Sequence, residues 1–258
     1  MPINVEHAVN EVFGQSNGMA YVLCVIFVAT FIRSALGFGE ALVAVPLLAL
    51  RIPLRTAAPL AVMVSITIAA LIIIQDWQKV YVRTAAKLLM PTLFGIPLGL
   101  LLLTNPHQEI VKLLLALIII CFAVYSLRKR HALELKEDNQ WWLLFCGFLA
   151  GILGGTYGMN GPPLAVYGTM RRWSPQHFRA TLQGYFLPAS MLGMAGYMWK
   201  GLWTHELTHY YVLSLPVTIP AILLGRVANH RLPLENFFKC VFGGLILIGI
   251  ILALQAVL

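Results

Sequence analysis

The chain consists of long apolar runs, free of Asp, Glu, Lys and Arg, that are separated by short polar segments. These runs occupy residues 18–32, 41–50, 56–75, 88–106, 113–127, 139–170, 180–199, 207–225 and 240–258. A helix needs about 20 apolar residues to cross a membrane, and several runs reach that length. Backbone polar groups in lipid must be satisfied within their own segment, so the pattern predicts an all-α polytopic membrane protein.

Two stretches, 18–50 and 139–170, are too long for one ordinary span and too short for two full ones. Glycines interrupt both near the middle, within Leu36–Glu40 and within Gly154–Pro163. Each stretch therefore predicts either a helix broken at membrane depth or a re-entrant helical hairpin that dips in and returns.

Composition excludes other classes of protein. Hydrophobic residues make up 59% of the chain and charged residues 11%, against about 25% charged residues in soluble domains. Too few charges remain to coat a soluble enzyme or a free nucleic-acid binder. The net charge of +8 lies in short loops, as membrane orientation requires, so the expected partner is the lipid bilayer and not nucleic acid. The four cysteines lie inside apolar runs without metal-ligand spacing, so neither a metal nor another cofactor is expected.

Prolines indicate an internal duplication. Four prolines of the first half have counterparts in the same order in the second half, pairing Pro46 with Pro163, Pro53 with Pro175, Pro91 with Pro216 and Pro106 with Pro233. We therefore divide the chain into an N-terminal segment (1–17), a first transmembrane repeat (18–127), a polar linker (128–140) and a second transmembrane repeat (141–258). Residues 1–17 contain acidic but no basic side chains, so no signal peptide is predicted.

The distribution of Lys and Arg predicts that the two repeats are inverted. If the linker is cytoplasmic and each half crosses the membrane an odd number of times, 13 of the 18 basic residues lie inside, namely Lys79, Arg83, Lys87, Arg128, Lys129, Arg130, Lys136, Arg171, Arg172, Arg179, Arg226, Arg231 and Lys239. If each half crosses an even number of times, only eight of the 18 basic residues lie inside. The positive-inside rule favours the inverted arrangement, with both chain ends outside the cytoplasmic membrane. Inverted repeats with discontinuous helices are a transporter architecture.

The glycine breaks suit an anion. A helix that restarts at membrane depth presents unpaired N–H groups and a partial positive charge, and glycine lets a ligand approach the backbone. Pro162 and Pro163 fit the first turn of a new helix, capped by Asn160 or Gly161. The candidate substrate-binding residues are Arg33, Ser34, Gly37, Gly39, Thr156, Tyr157, Gly158, Asn160, Gly161 and Gln183. The alternative is that these glycines only allow close helix packing.

Arg33 and Glu40 are ionisable residues within a membrane segment, where charge is costly and usually functional. Arg33 can neutralise an anion, and Glu40 can carry a coupling proton. A structural ion pair is the alternative for both. Gln183 can supply a further donor or join two helices.

The paired motifs around Gly37-Phe38-Gly39 and Gly154–Leu164, together with the duplicated layout, resemble the TauE/SafE sulfite exporter family of membrane transporters. The resemblance extends over residues 18–255. It implies secondary transport of small sulfur oxyanions or organosulfonates, such as sulfite. A channel or a structural membrane protein remains an alternative.

A competing motif, His205-Glu206-Leu207-Thr208-His209, matches the H-E-x-x-H signature of zinc proteases. The alternative function is therefore an intramembrane zinc metalloprotease. The motif lies in a polar loop, and its possible third ligands, His230 and Glu235, lie beyond another span. A helix start capped by Thr204 explains the same residues without a metal.

Overall fold

The computed structural model describes residues 5–76, 78, 80–128, 139–171, 173 and 175–231, and single positions between 243 and 254. The described part is helical and contains no strand. Its helices are α1 (Val5–Leu36), α2 (Glu40–Ala49), α3 (Leu54–Asp76), α4 (Val82–Leu103), α5 (Gln108–Arg128), α6 (Gln140–Tyr157), α7 (Gly161–Met170), α8 (Pro175–Trp199) and α9 (His205–Arg231). The all-α prediction is confirmed.

Four helices are long and apolar enough to cross a membrane among the residues described: Gly18–Ala35 of α1, Leu54–Ile74 of α3, Val82–Leu103 of α4 and His205–Ala228 of α9. Their outward faces are apolar, with Ile74 of α3, Phe94 of α4 and Leu223 of α9 exposed. Such faces are stable in lipid and not in water, so the chain is a multi-pass membrane protein.

The first glycine break is the tip of a helical hairpin. The Tyr21 hydroxyl, near the start of the apolar part of α1, donates to the carbonyl of Leu47 at the end of α2, at 2.6 Å. If α2 continued in line with α1, these residues would lie roughly 39 Å apart at 1.5 Å per residue. The short helix therefore folds back on α1. In the second half α7 packs against α6, so both stretches form helical hairpins at a glycine break.

Helix bounds recur at a fixed interval along the chain. The same 121 residues separate Leu36 from Tyr157, Glu40 from Gly161, Ala49 from Met170 and Leu54 from Pro175. This register corrects two of the proline pairs, because the counterpart of Pro46 is Tyr167 and not Pro163, and that of Pro53 is Ser174 and not Pro175. The order of elements nevertheless repeats, as the duplication requires.

The closest helix packing joins one half of the chain to the other. Helix α4 packs along α6, and α1 packs along α9. Between α4 and α6 the contact is made by glycines, and a Cβ added at Gly151 would lie 2.5 Å from the Thr92 carbonyl oxygen. At the other interface a Cβ added at Gly225 would lie 2.6 Å from the Phe31 carbonyl oxygen. Small residues at such contacts let helix backbones approach in lipid.

Candidate functional site

The first break is set by two glycines on either side of Phe38. Gly37 has φ 87° and Gly39 φ 102°, values that side chains with a Cβ rarely adopt. The Gly37 amide donates to the Arg33 carbonyl at 2.7 Å and closes α1. Gly39 then occupies the N-cap position of α2 and has no side chain to cap it. The first N–H groups of α2 are therefore available to a ligand.

The second break has one left-handed residue, Gly158, with φ 69°. Its amide donates to the Gly154 carbonyl at 2.9 Å, and the Met159 amide donates to the Leu153 carbonyl at 3.1 Å. Helix α7 begins at Gly161, so the prediction that two prolines fill its first turn is confirmed.

Both breaks line one small cavity. Its wall includes Arg33, Gly39 and Glu40 from the first break and Gly158, Asn160 and Gly161 from the second. Helices α3 and α8 complete it with Ser65 and Phe186, which lie at or next to the middle residue of their helices. The N-termini of both short helices therefore face the same space, at half the height of two long helices.

A buried ion pair forms the polar centre of this site. The Arg33 Nη1 group donates to Glu40 Oε2 at 2.5 Å and to the Ser65 hydroxyl at 2.5 Å. The guanidinium also lies 5.0 Å from the centre of the Phe186 ring. The side chains are 3% and 1% exposed, so the pair is shielded from water. Two of its polar atoms, Arg33 Nε and Glu40 Oε1, have no hydrogen-bond partner.

Gln183 holds the first break in place. Its side-chain oxygen accepts from Arg33 Nη2 at 2.8 Å, and its side-chain nitrogen donates to the Gly37 carbonyl at 2.7 Å. The interpretation that Gln183 joins two helices is confirmed, because these bonds link α8 to α1. A role as a donor to the substrate stays a prediction.

Asn160 at the second break is buried beside Tyr185 of α8. The side-chain amide of Asn160 packs directly against Gly154. A Cβ added at Gly154 would lie 2.7 Å from the amide nitrogen of Asn160. Tyr185 and Thr92 of α4 are hydrogen-bonded at 2.6 Å. A polar path thus runs from the cavity wall into the interface between α4 and α6.

Five predicted residues do not line the cavity. Gly37 and Gln183 belong to the support of the first break, and the other three use their hydroxyl groups in packing. Ser34 donates to the Ile222 carbonyl at 2.7 Å, Tyr157 to the Val111 carbonyl at 2.8 Å, and Thr156 to the Gly99 carbonyl at 3.1 Å. Here the packing alternative describes the structure better than ligand binding does.

Ser65 and Phe186 were not identified from the sequence. Ser65 is also 3.3 Å from the hydroxyl of Ser190, which extends the polar centre toward α8. The only sequence signal was a single serine in an otherwise apolar run, and such residues are common in membrane helices.

The H-E-x-x-H motif forms the start of α9. His205, Glu206 and His209 are exposed, and the Thr204 hydroxyl accepts from the Leu207 amide at 3.1 Å, as a helix cap does. Within the described residues no three His, Cys, Asp or Glu side chains are grouped to hold a metal. Glu235 and the side chain of His230 lie outside that part. The structure therefore gives the zinc protease alternative no support.

The fold and the site define a class: a helical membrane protein with two hairpins that meet at a buried charged centre. The chain belongs to the sulfite exporter TauE/SafE family, whose family model matches residues 22–252. It is similar to the probable sulfite/organosulfonate exporter TauE of Cupriavidus necator, with 26% identity over 182 residues, which are 70% of this chain and 70% of that protein. No solved structure matches it. The resemblance seen in the paired motifs is confirmed, and the family is one of membrane transporters.

Proposed function

We propose that the protein is a secondary transporter that moves small sulfur-containing anions, sulfite or organosulfonates, across the cytoplasmic membrane. The substrate binds where the two hairpin tips meet, and Glu40 carries a coupling proton. The name of the similar protein from Cupriavidus necator supports this substrate class.

The observation that carries the proposal is the meeting of both breaks at Arg33 and Glu40. Two helix N-termini and one guanidinium face the cavity, and each favours negative charge. Such donors, held in a low-dielectric interior, suit a small anion with several oxygens.

An inverted arrangement of the two halves is supported by how the hairpin tips are placed. The Tyr81 amide, just after α3, donates to the Thr181 hydroxyl in the second turn of α8 at 3.1 Å. Helices α3 and α8 therefore run in opposite directions. Gly37 lies against Arg179 near the start of α8, whereas Gly158 lies against Ala58 near the start of α3. The two tips thus point toward opposite ends of this helix pair, as inverted repeats require.

The cavity volume indicates that the hairpins must separate during transport. At about 20 Å³, the space holds little more than one water molecule. Sulfite and sulfonates are larger, so binding needs the tips to move apart. Opening on alternate sides of a fixed central site is how inverted-repeat transporters work.

Flux into proteoliposomes tests the proposal. Purified protein should move sulfite and methanesulfonate faster than acetate, and it should do so without ATP. The matched control is Arg33→Ala, which removes the guanidinium. Equal rates for all anions, or a voltage-driven current too large for carrier turnover, would contradict secondary transport of sulfur anions.

A further inference from the structure

The carboxylate of Glu40 occupies the position on Arg33 that an incoming anion needs. Arg33 Nη1 is bound to Glu40 and Ser65, and Nη2 to Gln183. Arg33 Nε remains without a partner. An oxyanion therefore gains the full strength of the guanidinium only if Glu40 leaves it.

We propose, resting on the proposed function, that substrate and Glu40 exchange at Arg33. A proton enters at Glu40 Oε1, the neutral carboxyl group releases the guanidinium, and one monovalent anion takes its place. One positive proton and one negative anion are added, so the charge of the occluded site does not change.

The charge of the cavity wall limits the substrate to a single negative charge. Glu40 shares the cavity wall with Arg33 from α1, Ser65 from α3, Phe186 from α8 and Asn160 from the second break. Gln183 from α8 binds Arg33. Among the described residues that line the cavity, Arg33 is the one basic side chain. With Glu40 protonated, the site carries one positive charge, which a monovalent anion neutralises. A dianion would leave an unpaired charge in a low-dielectric interior, which is costly.

The shape of the wall favours a sulfonate or hydrogensulfite ion. Oxygens of such an ion face the guanidinium and the N-termini of α2 and α7. Leu42, Pro162 and Phe186 also line the cavity and give apolar contact for an organic substituent. The exchange therefore assigns a monovalent sulfonate or hydrogensulfite ion as the substrate and a ratio of one proton to one anion.

Methanesulfonate is a suitable probe because it keeps one negative charge throughout the pH range. Its binding to the purified wild-type protein in weakly buffered solution should take up one proton per anion. Above the pH at which Glu40 titrates, the dissociation constant should rise about tenfold per pH unit, because each binding event includes one proton. Binding without proton uptake would overturn the exchange.

The Glu40→Gln variant resembles the protonated carboxyl group. It should bind methanesulfonate with no proton uptake and no pH dependence. In liposomes it should exchange labelled for unlabelled anion but show little net flux, because the empty site has no counter-charge for Arg33. Glu206→Gln, on the exposed start of α9, is the matched control and should behave as wild type.

The outcomes separate the two proposals. Wild-type liposomes that move neither sulfite nor any sulfonate contradict the proposed function itself. Liposomes that move methanesulfonate with no accompanying proton, or with a net transfer of charge, contradict the exchange and the coupling role of Glu40, but not the transport of sulfur anions. Should Glu40→Gln not fold, the proton uptake and charge movement of the wild type still decide between these outcomes.

Discussion

The side-chain amide of Gln183 lies 2.8 Å from the guanidinium of Arg33, a residue 150 positions earlier in the chain. The same amide donates to the carbonyl of Gly37, so one side chain fixes both the charge and the backbone of the first break. In the proposed mechanism Gln183 is therefore a positioning residue that acts on the anion through Arg33.

Replacement of Gln183 should weaken anion binding more than it weakens the fold. Gln183→Ala removes a hydrogen bond to a charged group, which contributes about 1.5–3 kcal/mol in a buried site. We expect at least about tenfold weaker methanesulfonate binding by titration calorimetry. Met191→Ala, on the exposed face of the same helix, is the control. Unchanged affinity in Gln183→Ala would show that Arg33 needs no positioning.

Substitutions at Gly161 should separate cavity volume from folding. A Cβ at this position would lie 3.4 Å from the Phe38 ring and 3.9 Å from Phe186, which is ordinary contact. Gly161→Ala should therefore transport, whereas Gly161→Val should fill the space between the breaks and abolish flux while the protein still purifies intact. Equal flux in both variants would exclude the tip of α7 from the site.

Gly158 provides a contrasting case at the same break. Gly158 has a φ of 69°, which residues with a side chain rarely adopt. A Cβ added there would also lie only 2.8 Å from the side chain of Val62, so any larger residue is strained. Gly158→Val should therefore lower the melting temperature as well as flux, so Gly161 is the better test of binding.

The close contact of α4 and α6 should be sensitive to a single methyl group. A Cβ at Gly151 would meet the backbone of Thr92 and Gly95 at 2.9 Å or less. Gly151→Ala should cost about 1–3 kcal/mol of stability through overpacking, seen as a lower melting temperature in detergent. Gly193→Ala is the control, because no atom lies within 4 Å of its added Cβ. Similar melting temperatures for the two variants would contradict the packing.

Cysteine labelling in intact cells should test the inverted topology. In a background without native cysteines, Leu135→Cys in the linker should be protected from a membrane-impermeant thiol reagent. Asn105→Cys, exposed between α4 and α5, and Leu258→Cys should both be labelled. Labelling of Leu135→Cys together with Leu258→Cys would place both on one side and exclude inverted repeats.

Sequence patterns predicted the helices and both breaks because apolar length and glycine placement are local properties. They left open whether the helix after each break continues in line or folds back on the helix before it. That depends on contacts between residues distant in sequence, such as Tyr21 with Leu47. They also paired Pro46 with Pro163, although the helix bounds place these residues at different turns. Arg33, Glu40 and Gln183 were found as polar residues in apolar runs. Phe186 was not found, because an apolar residue that lines a cavity cannot be told from an ordinary core residue by sequence.

Helix α1 packs on α9, and α4 packs on α6, so helices of the first half pack on helices of the second half. This arrangement bears on how such a chain arose. Within the described residues, the first helix of each half packs more extensively on the other half than on its own. With the proposed inversion, a half-length ancestor would have completed its core only as an antiparallel homodimer, with copies inserted in both orientations. Fusion of two such copies would then have let the hairpin tips diverge, and the helix bounds place Glu40 and Gly161 at equivalent positions.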